Sequence, residues 1–347
     1  MTPLMSRRQL VAGATLLAAT PTLARRGDGA IVNPLIRNRA DGQILRADGW
    51  YYFTGSVPEY DRVVLRRARS IAGLATAPEQ VLWRHEEEGP RSGFIWAPEI
   101  HRIDGRWTIY VAAGPRAKGA EAYRIRTYAL TCDGRDPMTG TWRVLGRFET
   151  PWDGFTLDST VFTHRGTRYI AWAQSEPGIA TNTNLYLAPM ASPLTLAAKP
   201  ARLSVPTLDW ECRGYKVNEA PAVLIRHGRV FLTYSASATD ANYCMGMLTA
   251  RDTADLMDPA AWSKSSAPVL ASSPEAIIWG PGHNSFTTDE HGRDMLVFHA
   301  RDYERIQGNP LFDPNRHTRV QPIRYDADGV PRFMPPLPNG PVRANRR

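Results

Sequence analysis

Hydrophobic and polar positions alternate along the chain in short runs that recur. The clearest run reads AVLIR, then His227-Gly228, then RVFLTYSA, which predicts two antiparallel strands joined by a tight turn. The same order, a turn glycine followed by a strand rich in aromatic and β-branched residues, occurs at Gly49, Gly105, Gly166, Gly228 and Gly292. Glycine suits the positive φ of such turns, so the pattern favours strands and turns over long helices.

The spacing of these turn glycines predicts the fold. Successive glycines are 56 to 64 residues apart, and the intervals have room for two further strands, for example at 63–68 and 184–188. A period of about 60 residues with about four strands per repeat is typical of a β-propeller blade. Five periods fill residues 25–347, so we predict an all-β fold, a single five-bladed β-propeller. A β-sandwich is the alternative, but it predicts no such sustained period.

Polar groups recur in the first strand of each predicted blade, which should line the central channel. Six to nine residues before the turn glycines stand Asp41, Trp96 with Glu99, Asp158, Glu219 and His283. We expect these residues to occupy equivalent positions, at one phase of the first strand in each of the five blades. Buried polar groups are costly unless they serve a site, so carboxylates from blades 1, 3 and 4 indicate a pocket. Paired carboxylates beside aromatic side chains favour glycoside hydrolysis, with a metal site as the competing interpretation.

Two other acidic residues have simpler interpretations. Glu99 is expected to be structural and paired with an arginine. Asp48 is a rival to Asp41, but it belongs to the turn itself and has the wrong phase.

The first 24 residues have the pattern of an export signal. Arg7 and Arg8 precede a weakly apolar run at 10–19 and a small-residue site at 22–24, which predicts a Tat-type signal peptide cleaved near Ala24. The apolar run is too short to span a bilayer, so a membrane anchor is disfavoured. We therefore expect a periplasmic or secreted protein that leaves the membrane once the signal is cleaved.

Charge and cysteine content exclude other classes of function. The formal net charge is +8, but the basic residues are scattered among acidic ones without a dense basic run, which argues against nucleic-acid binding. Three cysteines are too few for a disulfide framework in 347 residues.

Eight segments, taken in order, resemble glycoside hydrolase family 43 in its arabinofuranosidase-type branch. They are RAD, VPEYDR, IWAPEIH, LDSTVF, VNEAPAVL, YSASATDANYCMG, GPGHNSF and DPNRHTRVQP. The likeness extends from about residue 33 to residue 322. It implies a five-bladed β-propeller, a central pocket with two carboxylates and an auxiliary aspartate, and inversion of configuration.

The resemblance also implies roles for individual residues. Asp41 resembles the general base, Glu219 the general acid, and Asp158 the aspartate that orients the acid and tunes its pKa. The substrate-binding residues implied are Trp96, His283, Arg319 and Gln321. No cofactor is required in this reading, although the axial position of His283 suggests a structural calcium ion or an ordered water there.

One position departs from the family pattern. The family usually has proline after the base aspartate, whereas this chain has Gly42. Glycine allows the same backbone angles without enforcing them, so we expect Asp41 to be less rigidly held.

Together these features predict an exported, inverting, exo-acting α-L-arabinofuranosidase that acts as a monomer on arabinan, arabinoxylan or derived oligosaccharides. Its alternatives on the same scaffold are a β-D-galactofuranosidase, a D-arabinofuranosidase and a β-xylosidase. A non-catalytic propeller that binds glycan or protein is the alternative from another class, and the three intact carboxylates argue against it.

Overall fold

The computed structural model describes residues 29–342 and consists almost entirely of β-strands. Five antiparallel sheets follow one another along the chain, and each of the five turn glycines joins the first two strands of one sheet. This arrangement confirms the prediction of an all-β, five-bladed propeller. The predicted export signal, residues 1–24, lies outside the described residues.

The strands pair in chain order within each blade. A short strand, β1 (Val32–Asn33), precedes the first blade. Blade 1 contains β2 (Ala40–Ala47), β3 (Trp50–Ser56), β4 (Arg62–Ala68) and β5 (Gln80–Arg84). Blade 2 contains β6 (Ile95–Ile103), β7 (Arg106–Ala113), β8 (Arg126–Cys132) and β9 (Trp142–Arg147). Blade 3 contains β10 (Thr156–His164), β11 (Thr167–Gln174), β12 (Asn184–Pro189) and β13 (Ala201–Ser204). Blade 4 contains β14 (Asn218–Arg226), β15 (Arg229–Ala236), β16 (Cys244–Arg251) and β17 (Ser263–Lys264).

Blade 5 is completed by the start of the described chain. Its own strands are β18 (Trp279–Thr288), β19 (Asp294–Arg301) and β20 (His317–Pro322). The Asn33 side chain donates to the carbonyl of Val320 and accepts its N–H, both at 2.9 Å, while the Leu35 N–H donates to Thr318 O at 2.8 Å. These contacts close the ring of blades. The remaining short strands are β21 (Arg324–Tyr325), β22 (Pro331–Arg332) and β23 (Gly340–Pro341).

Helical structure within residues 29–342 is limited to short 3-10 turns. They are Ala72–Ala75, Gly119–Tyr123, Asp209–Glu211, Pro259–Ala261 and Pro310–Phe312. None of the helices in this range has the length and apolar character to cross a membrane. All three cysteines are free thiols.

The hydrophobic core lies between neighbouring blades. Blades 1 and 2, for example, meet through Tyr52 and Trp107, whose ring centroids are 5.1 Å apart. Comparable clusters join the other pairs, and blades 1 and 5 share one around Phe53 and Val297. Complete burial of such a side chain stabilises the fold by roughly 1.5 to 3 kcal/mol. Because the apolar contacts lie between the blades, the inner strand ends near the axis remain available for polar groups.

Candidate active site

Each inner strand is interrupted at the same place by a bulge. Pairing with the second strand shifts there in all five blades, and one residue takes a left-handed backbone. These residues are Asp41 (φ 55°), Ala97 (φ 47°), Asp158 (φ 54°), Ala220 (φ 51°) and His283 (φ 43°). A left-handed non-glycine residue costs about 1 to 3 kcal/mol, so other contacts must hold it. Bulges also redirect side chains, which suits a site at this end of the channel.

The bulges correct one expectation from the sequence. Asp41, Asp158 and His283 do occupy equivalent positions, but Glu219 comes one residue before its bulge residue, as Trp96 does. The expected single phase is therefore wrong for Glu219 and Trp96. Counting back from the turn glycine separates the two groups, since Asp41 and Asp158 lie eight residues before their glycine and Glu219 lies nine. It misplaces His283, which also lies nine residues before its glycine but occupies the bulge position.

Side chains from the preceding blade bind the backbone N–H groups of four bulge residues. The acceptors are His299 Nδ1 for Asp41 (3.1 Å), Ser56 Oγ for Ala97 (2.8 Å), Asp158 Oδ2 for Ala220 (3.0 Å) and Ser235 Oγ for His283 (2.7 Å). We call these contacts the interblade latches. They compensate for the strained backbone and fix each bulge relative to its neighbour.

The latch at blade 4 explains the position of Asp158. Ser56, Ser235 and His299 all lie on second strands, directly opposite the residue that precedes the bulge. The equivalent residue of blade 3 is Ala173, whose side chain has no acceptor. Asp158 accepts the Ala220 N–H instead, and thereby holds the backbone directly after Glu219. This contact is consistent with an aspartate that orients the acid.

Asp41 lies among polar groups that favour its ionised form. Ser56 Oγ donates to Asp41 Oδ2 at 2.5 Å, and His283 Nδ1 and His299 Nδ1 lie 3.3 and 3.2 Å from Oδ1. Arg316 approaches the same oxygen to 3.9 Å. Burial acts to raise the pKa of Asp41, but His283, His299 and Arg316 outweigh it and hold the pKa well below its usual range. Asp41 is therefore ionised at neutral pH, which is the state that suits a general base.

The two imidazoles beside Asp41 act on its pKa through their charge only in acid, where they are protonated. Burial lowers the pKa of His283, and it lowers the pKa of His299 to about 4. Arg316 is consequently the lasting positive charge near the Asp41 carboxylate.

Asp158 and Glu219 have the opposite electrostatics. Burial, helped by the charge of Asp41, raises the pKa of Glu219 to about 7, although a hydrogen bond from Tyr243 acts in the other direction. Burial and the charges of Glu219 and Asp41 raise the pKa of Asp158 well above its usual range. Glu219 is only half-buried, whereas Asp158 is 6% exposed. A protonated Glu219 with an accessible carboxyl group is suited to donate a proton to a substrate.

Aromatic side chains form a wall beside Asp41. Trp96 stacks on Phe94 with ring centroids 5.0 Å apart, and Tyr60, Tyr123 and Phe312 contact these two rings. The Trp96 indole N–H is buried and lacks a hydrogen-bond partner within residues 29–342. An apolar ring surface beside an unpaired donor suits a sugar, which has both C–H and hydroxyl groups.

Arg319 and Gln321 are not brought to the carboxylates. Arg319 binds Asp302 and donates to Asn339 Oδ1 at 2.6 Å, while Gln321 donates to the carbonyl of Met334 at 2.8 Å. The reason is alternation along β20: Thr318 is opposite His299, so its neighbour Arg319 and the next alternate residue belong to the other face. The arginine near Asp41 is Arg316, just before this strand begins.

Ser56, His299, Arg316 and Tyr243 are the site residues that the sequence analysis missed. A usable signal existed for two of them, because Ser56 and His299 are polar residues near the ends of strands rich in hydrophobic residues. No periodic signal marks Arg316 or Tyr243, which lie in loops next to strands.

Two expectations for acidic residues have different outcomes. Glu99 is paired with His101, whose Nε2 is 3.1 Å from Glu99 Oε2, so the expectation of an arginine partner was wrong. Asp48 is exposed and pairs with Arg102 at 2.6 Å, as a turn residue can.

The calcium ion suggested for His283 stays a prediction. Calcium prefers six to eight oxygen ligands. No cluster of three or more His, Cys, Asp or Glu side chains within residues 29–342 has the geometry to hold a metal. His283 Nδ1 instead contacts the Asp41 and Asp158 carboxylates, at 3.3 and 3.9 Å. The described residues therefore give no support for a calcium ion at His283.

Space, rather than backbone angle, requires glycine at position 42. A Cβ atom there would lie 2.6 Å from Thr318 Oγ1 and 3.0 Å from Phe53 Cε2. The left-handed φ belongs to Asp41 itself, which its contacts with Ser56 and His299 hold in place. The Thr318 side chain thus occupies the volume in which a larger residue 42 would stand.

Gly42→Ala is expected to destabilise the protein by about 1 to 3 kcal/mol, because the new methyl group overpacks this contact. Thr318→Ala removes the two closest opposing atoms, Oγ1 and Cγ2, although it also loses the hydrogen bond to Arg39 O. The double variant should therefore be more stable than the sum of the single effects implies. Urea unfolding of all four proteins measures this coupling, and simple additivity would contradict the steric explanation.

Comparison with known proteins identifies the family of the chain. The model of the family described as glycosyl hydrolases family 43 matches residues 31–331. The chain belongs to glycosyl hydrolase family 43. Its sequence is 52% identical over 312 residues to an extracellular exo-α-(1→5)-L-arabinofuranosidase from Streptomyces chartreusis, covering 88% of this chain and 94% of that protein.

Two further family members extend the comparison. Alpha-L-arabinofuranosidase 43 from Humicola insolens is 52% identical over 319 residues, which are 91% of this chain but only 66% of that longer protein. The crystal structure of an α-L-arabinofuranosidase from Lactobacillus brevis superposes with a TM-score of 0.86 at 50% identity, covering 89% of this chain and 97% of the other. Such similarity establishes the family and the five-bladed fold.

Proposed function

We propose that this protein is an exported, inverting, exo-acting α-L-arabinofuranosidase. The observation that carries the proposal is the contrast between the surroundings of two carboxyl groups: Ser56 and Arg316 favour the ionised form of Asp41, whereas burial raises the pKa of Glu219 to about 7. A base and an acid at one end of a propeller channel are what inverting glycoside hydrolysis needs. Two relatives that are 52% identical to this chain are named arabinofuranosidases, which supports arabinofuranose as the sugar.

The residues divide the reaction between them. Asp41 takes a proton from a water molecule while the water oxygen attacks the anomeric carbon of the sugar. As the bond from this carbon to the leaving oxygen breaks, Glu219 gives that oxygen its proton. Asp158 keeps Glu219 in place through the Ala220 N–H. Attack on the side opposite the leaving group inverts the configuration at the anomeric carbon.

An exo mode is supported by a loop that borders the Asp41 side of the pocket. Tyr60 and Arg316 both bind the carbonyl of Leu311, and Arg301 donates to the carbonyl of Pro310 at 2.9 Å. The short helical turn Pro310–Phe312 is thereby anchored beside the catalytic groups. A fixed wall favours a pocket that accepts one chain end over an open cleft.

The linkage in the name exo-α-(1→5)-L-arabinofuranosidase of the Streptomyces chartreusis relative supports a substrate with terminal α-(1→5)-linked arabinofuranose. The proposed substrates are arabinan, arabinoxylan and their oligosaccharides, and the proposed active form is a monomer. Secretion is supported by the word extracellular in the name of the Streptomyces chartreusis relative, and the Tat-type signal at residues 1–24 is its proposed route.

A panel of 4-nitrophenyl glycosides tests the proposed specificity. The expected result is rapid release of nitrophenol from the α-L-arabinofuranoside, with kcat/KM at least about 10-fold lower for the β-D-galactofuranoside, α-D-arabinofuranoside and β-D-xyloside. Cleavage of a galactofuranoside without cleavage of the arabinofuranoside would reject arabinofuranose as the substrate. Proton NMR of the first product formed tests inversion, since a retained anomer would contradict it.

A further inference from the structure

Tyr243 contacts the proposed acid, Glu219, and also His299, which lies beside the proposed base. Its hydroxyl donates to Glu219 Oε1 at 2.7 Å. Its ring stacks on His299 with a centroid separation of 5.6 Å and an interplanar angle of 6°. His299 in turn accepts the backbone N–H of Asp41. Tyr243 is buried, with 1% of its surface exposed. It contacts both Glu219 and His299, the residue that binds the backbone of Asp41.

The GPGHN segment provides the space for this ring. A Cβ atom at Gly282 would lie 2.3 Å from Tyr243 Cε1 and 2.4 Å from Cδ1, so no other residue fits there without moving the ring. With Gly282 near its edge and His299 stacked on its face, the ring has little freedom to shift. The position of the hydroxyl is therefore fixed before any substrate arrives.

We infer that Tyr243 is a positioning residue that binds one oxygen of the general acid and so assigns the transferable proton to the other. This inference rests on the proposed function of Glu219. A phenol that donates to Oε1 occupies that oxygen, which leaves Oε2 to carry the proton. After the proton has moved to the leaving oxygen, the same hydrogen bond stabilises the Glu219 carboxylate that remains.

The charges around Glu219 show why such a donor is useful. Burial and the charge of Asp41 raise the pKa of Glu219, and Asp158 faces it from blade 3. Tyr243 and the more distant Arg316 act in the opposite direction. The phenol itself remains protonated, because burial and the neighbouring carboxylates raise the pKa of Tyr243 well above its usual range. Without this donor the acid would hold its proton too strongly.

Tyr243→Phe keeps the ring and removes only the hydroxyl. Because the Glu219 carboxylate loses a donor, the alkaline limb of kcat/KM for an arabinan oligosaccharide, whose leaving group needs the proton, should move upward by about one pH unit. The kcat for a natural arabinan oligosaccharide should fall about 10-fold, and more than for the nitrophenyl substrate, whose leaving group needs little protonation. An unmoved alkaline limb would overturn the inference.

Tyr186→Phe is the matched control. The Tyr186 hydroxyl also donates to a glutamate, Glu176 Oε2, at 2.6 Å, but this pair belongs to blade 3 and has no contact with Glu219. We expect an unchanged pH profile in this variant. A shift equal to that of Tyr243→Phe would mean that loss of any buried phenol has the effect, and would also overturn the inference.

A direct titration separates this inference from the proposed function. Isotope-edited infrared spectra of protein labelled with ¹³C-glutamate, with Glu219→Gln used to assign the band, give the pKa of Glu219 without substrate. An upward shift in Tyr243→Phe supports the positioning role, and an unchanged value rejects it. If the shift occurs while wild-type protein cleaves no arabinofuranoside, only the proposed substrate fails.

A fluorinated tyrosine covers the case in which the phenylalanine variant does not fold. 3-Fluorotyrosine at position 243 makes the phenol a stronger donor, so the pKa of Glu219 should move downward by a few tenths of a unit. An upward shift or no shift would contradict the inference.

Discussion

Glu219→Gln is expected to lower kcat on an arabinan oligosaccharide by about 10³-fold, because glutamine cannot give a proton to a poor leaving group. The loss should be smaller for 4-nitrophenyl α-L-arabinofuranoside, whose leaving group departs as a stable anion. Wild-type kcat/KM should decline above about pH 7 as Glu219 loses its proton, and the variant should lack this limb. Initial rates on both substrates across a pH series provide the measurement.

Glu149→Gln serves as the control for this substitution, because Glu149 is exposed and its change should leave the rates unaltered. Calorimetric titration of Glu219→Gln with the oligosaccharide should still show binding, since the pocket keeps its shape. Hydrolysis of both substrates at wild-type rates would disprove the assignment of Glu219 as the acid.

Glu211→Ala is expected to destabilise the protein by about 3 kcal/mol or more, because it leaves several buried donors without their acceptor. Glu211 is completely buried, and the donors to its carboxylate are the Asn218 amide, the Tyr234 hydroxyl, the Lys264 ammonium and the N–H groups of Thr207 and Leu208. Asn218 directly precedes Glu219, so activity should fall along with stability. Urea denaturation followed by circular dichroism measures the change.

The pH dependence of that stability gives a second check. Burial acts to raise the pKa of Glu211, but Lys264 and the other donors outweigh it and lower the pKa below its ordinary value of 4.5. A lowered folded-state pKa adds stability above the unfolded pKa and loses it as the pH falls through the folded value. Wild-type protein should therefore lose stability below about pH 4.5, and Glu211→Gln should lose less over the same range. Glu149→Ala, at an exposed position, should match the wild type at every pH.

The blades could be predicted from sequence because their signals are local. A turn glycine and the aromatic strand after it lie within about ten residues, and their recurrence every 56 to 64 residues needs no knowledge of contacts between blades. The carboxylates of Asp41, Asp158 and Glu219 could be proposed for the same reason, since each lies near the start of an inner strand.

The partners of these carboxylates could not be predicted in this way. His299 is 258 residues from Asp41 along the chain, and Tyr243 is 24 residues from Glu219, so each contact depends on closure of the ring or on a loop. Arg319 and Arg316 both belong to one quoted segment, and only the start of β20 at His317 decides which of them approaches Asp41. Strand boundaries and bulges are set by tertiary pairing, which a single sequence does not display.

The interblade latches have a consequence for exchanging modules between relatives. Each latch joins a side chain of one blade to a backbone N–H of the next, so the receiving blade contributes no particular side chain to it. A transplanted blade therefore needs only its bulge to receive a latch, and it needs a polar acceptor of its own only where it latches the next blade. Blade 2 is the simplest module to exchange, because Ala97 at its bulge receives a latch from Ser56, whereas Ala112, opposite the residue before the bulge, has no side-chain acceptor for the next blade.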